Sequence, residues 1–346
     1  MELRNSKLGL FGKIVAFLTA VLFVCALTLG YFVLQGNSDG TPVDVIIQRG
    51  TPLSGVVNTL YKKHVVSGPT FFKVLLTLTQ GSSRVRAGEF RFQENMNPLG
   101  ALRILYFSDP VLHQVTIPEG WNVHQIAEIL AAQNLGDPNK FIKIGLSKEF
   151  ARKSGFTTPT IEGFLFPDTY SFSKIDSEEY ILTAMVKRFR QKFDKYKDEA
   201  ALKGFTVERL VTLASIVEKE TGAPEERPLI ASVFKNRLNK GMRLQSDPTT
   251  IYGIENFDGN LTRKHLETYT PYNTYRIKGL PPGPISNPGE ESIAAVLRPA
   301  NTEYLYFVSK NNGTHTFTKT YKEHAHHVEV LQKRRSGRRG NATQGP

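Results

Sequence analysis

An uncharged run of 21 residues, Ile14–Leu34, constrains this chain more than any other feature. About 20 apolar residues in a helix cross the hydrocarbon core of a bilayer. Arg4, Lys7 and Lys13 precede the run, and Asp39 and Asp44 follow it. That asymmetry predicts a transmembrane helix with residues 1–13 in the cytoplasm and everything after Leu34 on the far side. A cleaved signal peptide is the competing reading. Its apolar core is usually only about 7–15 residues long and ends at small residues, and no such site stands here. Bulky Phe23 and Val24 before Cys25 argue against a lipoprotein signal.

Cys25 is the one cysteine, so neither an internal disulfide nor a multi-thiolate metal site is available. Hydrophobic residues make up 40% and charged residues 22% of the 346, an ordinary globular balance with room for two or three domains. Part of the +12 net charge sits in a basic tail containing Lys333, Arg334, Arg335, Arg338 and Arg339. No nucleic-acid motif accompanies it, so residues 331–346 read as a solvated, disordered tail.

After a polar linker over 35–42, a strand-like run (Val43–Ile47) ends at Arg49-Gly50, and Leu53, Val56, Val57 and Leu60 recur at helical spacing. About 70 residues later the pattern returns. Val115–Ile117 is strand-like, Glu119-Gly120 is the turn, and Val123, Ile126, Ile129 and Leu130 carry the helical stripe. Two copies are too few for a solenoid. They predict a small α/β module over 43–150, either a spacer or a binding unit, ahead of a mixed α/β domain over 151–330. The fold class is α+β.

Within the second region, Glu178–Lys195 alternates as an amphipathic surface helix. Val207–Thr221 reads as a strong helix with Leu210, Leu213, Ala214 and Val217 on its apolar face. Glu218 lies four residues after Ala214 and seven after Val211; Glu220 lies four after Ile216 and seven after Leu213. A carboxylate at the border of an apolar face is partly desolvated, which favours its protonated form and suits a general acid. The competing reading is a helix-end glutamate paired with Lys219 or Arg227.

Beyond a helix over Leu229–Leu238, the segment Gly241–Tyr252 gathers Gln245, Ser246, Asp247, Thr249 and Tyr252 around a proline-stiffened turn. Amides, carboxylates and hydroxyls beside aromatic faces are what sugar recognition needs. Gly279–Pro288 is too rich in glycine and proline for helix or central strand and predicts an ordered loop or long surface turn. Tyr304–Val308 and Gly313–Phe317 read as a hairpin. His324, His326 and His327 lack an H-E-x-x-H pattern, so a solvated terminal helix is preferred over a metal site. Nucleophile-elbow, Walker A and G-x-G-x-x-G signatures are absent.

Taken in order, Glu162–Tyr170, Leu213–Thr221, Ala231–Leu238, Met242–Thr249, Tyr272–Tyr275 and Gly279–Gly283 resemble the endolytic murein transglycosylases of the YceG-like (MltG) type. The resemblance covers nearly the whole chain and fails only in the basic tail. It implies a single-pass inner-membrane protein with a periplasmic catalytic domain and a LysM-like, peptidoglycan-contacting module at the first repeat. It places the catalytic glutamate on Glu218 and a polar cleft on Gln245, Asp247, Tyr252, Asn273 and Tyr275. It implies no metal or cofactor, peptidoglycan glycan strands as substrate, and cell-wall synthases as partners.

The implied reaction is lytic. One acid protonates the oxygen leaving N-acetylmuramic acid, then takes the proton of that sugar's C6 hydroxyl as a 1,6-anhydro ring closes, so one carboxylate suffices where most glycosidases use two. Two other readings stand beside it. A muramidase using water would need a second carboxylate, Asp247 or Glu162. A scaffold of the wall-building machinery would need no catalysis.

Overall fold

The computed structural model describes residues 2–34 and 40–333. The apolar run expected to span a membrane is helical and lies inside α1 (Glu2–Leu34). Several of its side chains, Cys25 among them, lie outside the described residues, as do the linker residues 35–39 and the basic tail from 334 onward. Among the described residues no helix is long and apolar enough to cross a membrane.

The fold is mixed α and β, as the sequence predicts, and it divides into two compact units. The first comprises residues 1–113 together with 171–175. After α1 it contains β1 (Pro42–Ile47), α2 (Leu53–Lys62), α3 (Pro69–Leu78), the short α4 (Gly81–Arg84), β2 (Gly88–Gln93) and α5 (Pro98–Phe107). β1 and β2 pair antiparallel, Pro42 opposite Gln93 and Ile47 opposite Gly88. Alternation along β1 sends Val45 and Ile47 into a core with Val56, Leu60, Phe72, Phe90 and Leu105, while Asp44 and Ile46 face out. Glu89 is the exception on β2. It is buried, accepts from Lys174 Nζ at 2.8 Å and meets His113 Nε2 at 2.5 Å. Burial opposes its charge, but those two partners outweigh burial and hold its carboxyl below the usual glutamate range.

The second unit comprises residues 114–170 and 176–346. Its elements begin around β3 (His113–Thr116), followed by α6 (Val123–Ala132), α7 (Pro138–Gly145), α8 (Lys148–Lys153), β4 (Thr169–Phe172), α9 (Glu178–Phe193), α10 (Lys197–Leu202), α11 (Val207–Glu220), α12 (Arg227–Asn239), α13 (Asp247–Tyr252), α14 (Arg263–Glu267) and α15 (Glu290–Leu297). A hairpin of β5 (Tyr306–Ser309) and β6 (His315–Thr318) and then α16 (Tyr321–Val328) complete it. β3 pairs with β4.

Both copies of the strand–turn–helix unit form as read. Gly50 and Gly120 adopt φ of 77° and 74°, the left-handed turn that favours glycine. The copies part company, however: Val115–Ala132 folds with the second unit, so contacts divide the chain near His113 where the sequence suggests a boundary near 150. The reason is packing. α6 buries Val123, Ile126, Ala127 and Leu130, and it lies against α7, which in turn lies against α9.

Candidate active site

α11 is enclosed. Leu210–Val217 are all buried, against α12, α13 and α15, and the helix emerges only at its two ends. Glu218 and Glu220 share its last turn. Two residues correspond to about 200° of helical rotation, so the carboxylates leave the helix in nearly opposite directions.

Glu218 turns toward the start of α15. Its side chain is 8% exposed. Oε2 accepts from Gly289 N at 2.9 Å and Ser292 Oγ at 2.7 Å, and Oε1 accepts from Arg227 Nη2 at 3.3 Å. Arg227 also pairs with Glu291 at 2.8 Å and Glu119 at 3.5 Å. Burial, then the charge of Glu218, pushes the Glu119 carboxyl up. A β-carbon at Gly120 would stand 3.3 Å from Glu218 Cγ, so the loop closes directly over this side chain. Glu218 therefore joins the end of α11 to the beginning of α15.

Glu220 turns the other way, into a cleft of about 530 Å³ whose lining includes Arg237, Gln245, Asp247, Tyr275, Tyr306 and His324. Its Oε1 accepts from Ser246 Oγ at 2.6 Å. Burial pushes its carboxyl up to about 7; the nearby charge of Asp247 adds to the rise, while the Ser246 bond and Arg237 oppose it. A carboxylic acid poised there can give and take a proton near neutrality.

The turn carrying Ser246 is pinned from behind. Gln245 has φ of 48°, Gln245 N donates to Thr274 O at 3.2 Å, and Ser246 N donates to Thr274 Oγ1 at 3.0 Å. Tyr275 OH donates to Asp247 Oδ1 at 2.6 Å. Of the five expected cleft residues, Gln245, Asp247 and Tyr275 thus meet around Glu220. Tyr252 and Asn273 do not line that cleft. Tyr252 OH donates to Glu162 Oε2 at 3.3 Å. Asn273 is buried: its Nδ2 donates to the carbonyls of His265, Leu266 and Thr268, and its Oδ1 accepts from Thr250 Oγ1 and Tyr275 N. All its polar capacity goes into holding the chain that presents Tyr275.

Glu162 is a second acid that burial pushes up to about 7, but it is fully enclosed. Oε2 accepts from Val123 N at 3.1 Å and Oε1 from Asn287 Nδ2 at 2.8 Å. Asn287 in turn accepts from Leu165 N and donates to Trp121 O. The Gly279–Pro288 segment is an ordered and largely buried loop; Ile285 N donates to Ser215 Oγ of α11 at 3.1 Å.

Sequence reasoning missed the far wall of the cleft. Arg237 donates to the carbonyls of Leu305 and Leu244, and its guanidinium lies 5.3 Å from the Tyr306 ring centre. His324 stacks on the same Tyr306 ring, with the ring centres 5.2 Å apart. His315 Nδ1 meets Glu226 Oε2 at 2.7 Å. These residues converge only through the hairpin and α16, which no local spacing announces. Among the described residues no cluster of three or more His, Cys, Asp or Glu side chains could hold a metal ion.

One burial-raised acid, bonded by a hydroxyl in an open cleft of amide, carboxylate and phenol groups, is an arrangement suited to acid/base chemistry on a polar substrate. The chain belongs to the YceG-like family, whose model matches residues 45–330. It is 36% identical over 303 residues to an endolytic murein transglycosylase of Bacillus subtilis (strain 168), covering 82% of this chain and 83% of that protein. It is 29% identical over 321 residues to an endolytic murein transglycosylase of Streptococcus pneumoniae serotype 2, covering 81% of this chain and 58% of the longer relative. A crystal structure of a yceG-like protein from Listeria monocytogenes aligns with a TM-score of 0.58 at 34% identity, over 83% of this chain and 99% of that one.

Proposed function

We propose that this protein is an endolytic peptidoglycan lytic transglycosylase and that Glu220, rather than Glu218, is its acid/base. The observation that carries the residue assignment is the opposite orientation of the two carboxylates. Glu220 faces an open cleft with its proton held to about pH 7, while Glu218 is consumed by Gly289, Ser292 and Arg227. Relatives named endolytic murein transglycosylases support the substrate class.

In this mechanism protonated Glu220 donates to the oxygen leaving N-acetylmuramic acid at its β-1,4 bond to N-acetylglucosamine. The C1–O bond breaks through an oxocarbenium-like state. Glu220, now ionised, takes the C6 hydroxyl proton, and O6 bonds to C1 to close the 1,6-anhydro ring. Gln245 and Tyr275 supply polar contacts for the sugar. Internal cuts of this kind would terminate growing strands, which makes cell-wall synthases fitting partners.

A specific observation keeps the hydrolytic reading in play: Asp247 shares the cleft and is the second carboxylate a muramidase would need. Glu162, the other candidate, is enclosed and engaged on both oxygens. Mass spectrometry of the ends formed from uncrosslinked glycan strands decides. Internal anhydro ends support the lytic reading, and new reducing ends refute it in favour of hydrolysis.

We also infer that Ile14–Leu34 anchors the protein in the inner membrane with its N-terminus cytoplasmic and its catalytic domain periplasmic. Exposed Phe17, Leu18, Val21, Leu22, Phe23 and Leu27 support this, because successive positions place apolar side chains all round the helix. The first unit is read as a LysM-like, peptidoglycan-contacting module.

A further inference from the structure

We infer that the first unit rests on the phospholipid surface through an apolar knuckle at the ends of α3 and α5; this rests on the anchor reading above. Leu78 is 78% exposed and Phe107 is 72% exposed. Each adjoins one member of a hydrogen-bonded pair that ties the ends of the two helices together: Thr79 Oγ1 and Tyr106 OH are 2.8 Å apart. Val74 extends the apolar stripe one turn back along α3, and Leu99 does so two turns back along α5.

This second stripe serves no core. α3 already buries Phe72 and Leu76, and α5 buries Ala101, Leu105 and Tyr106. Single exposed apolar side chains need no explanation, but two helices that both present such a stripe do. Exposed Lys73 lies beside Val74, and exposed Arg103 lies between Leu99 and Phe107. An apolar face set with basic side chains is the chemistry of a bilayer interface with anionic headgroups.

The tether makes that occupant the fitting one. Only residues 35–41 separate the end of α1 from β1, a maximum reach of about 25 Å. α1 also contacts α5, the helix that carries Phe107. The knuckle is thereby held near the surface from which the anchor emerges.

The test uses the full chain with Cys25→Ser, reconstituted into vesicles of zwitterionic and anionic phospholipid. An environment-sensitive dye is attached to a single cysteine introduced by Phe107→Cys or Leu78→Cys, with Tyr269→Cys as the reference, since Tyr269 is 70% exposed in the second unit. Circular dichroism checks folding. The labels at 78 and 107 should be quenched by nitroxide-bearing lipids and be about fivefold less accessible to aqueous iodide than the label at 269. Equal iodide access at all three sites, or shielding without lipid quenching, overturns the proposal; the latter would point to a protein occupant. Release of the protein by an alkaline carbonate wash overturns the anchor and the surface contact together. Retention with a fully exposed label overturns the surface contact alone.

Discussion

Replacing Glu162 by glutamine should change stability by an amount whose size depends on pH. Both carboxylate oxygens face obligatory donors, Val123 N and Asn287 Nδ2, and Asn287 cannot turn over because its Oδ1 accepts from Leu165 N. A protonated glutamate can aim its proton at Tyr252 OH and keep both bonds. A glutamine must set its NH₂ against one of the two donors, and a buried unsatisfied donor costs about 1–3 kcal/mol. That cost applies at pH 5.

Ionisation acts with the opposite sign. The folded pKa of Glu162 is raised from 4.5 to about 7, so its contribution is fully present below the unfolded value and is lost as pH rises through that window. A rise of that size corresponds to about 3 kcal/mol. Glutamine escapes this loss. Glu162→Gln should therefore destabilise by about 2 kcal/mol at pH 5 and be neutral or mildly stabilising at pH 8. For a unit of this size, about 2 kcal/mol lowers the melting temperature by roughly 4–8 °C. Thermal melts of the full-length protein at both pH values measure it. An equal shift at pH 5 and pH 8 would refute the reasoning.

Three further outcomes follow from the site. Ser246→Ala removes the hydroxyl that favours ionised Glu220, so the pH limb of kcat/KM near 7 should move up. Asp247→Asn removes the charge that disfavours ionisation, so the same limb should move down, and two shifts of the same sign would contradict the assignment. Gly120→Ala places a β-carbon 3.3 Å from Glu218 Cγ at a φ of 74°, and should cost about 1–2 kcal/mol in denaturant melts; an unchanged midpoint would mean the loop is not held over Glu218.

The elements were largely legible in the sequence because their signals are local. The helix read over 207–221 is observed as Val207–Glu220, the two glycine turns stand where the repeat puts them, and the loop over 279–288 carries no regular structure. What was not legible depends on rotation and long-range packing. Glu218 and Glu220 both border apolar positions by spacing, and periodicity cannot say which side of an enclosed helix will open onto a cleft. Asn273 looks like a sugar ligand until its three carbonyl acceptors are seen. Arg237, Tyr306 and His324 meet across nearly ninety positions of sequence, beyond the reach of any motif. The unit boundary near His113 follows from α6 packing on α7, which residue spacing does not encode.

The most direct test of the central claim compares Glu220→Gln with Glu218→Gln in the full-length protein, measuring the rate of internal chain ends formed from uncrosslinked glycan strands. Removing a general acid/base typically costs about 10²–10⁴-fold, so Glu220→Gln should lose at least that much while Glu218→Gln, folded as judged by its melt, stays within about tenfold of the unaltered protein. An active Glu220→Gln beside an inactive, folded Glu218→Gln would contradict the account and return the acid/base role to Glu218.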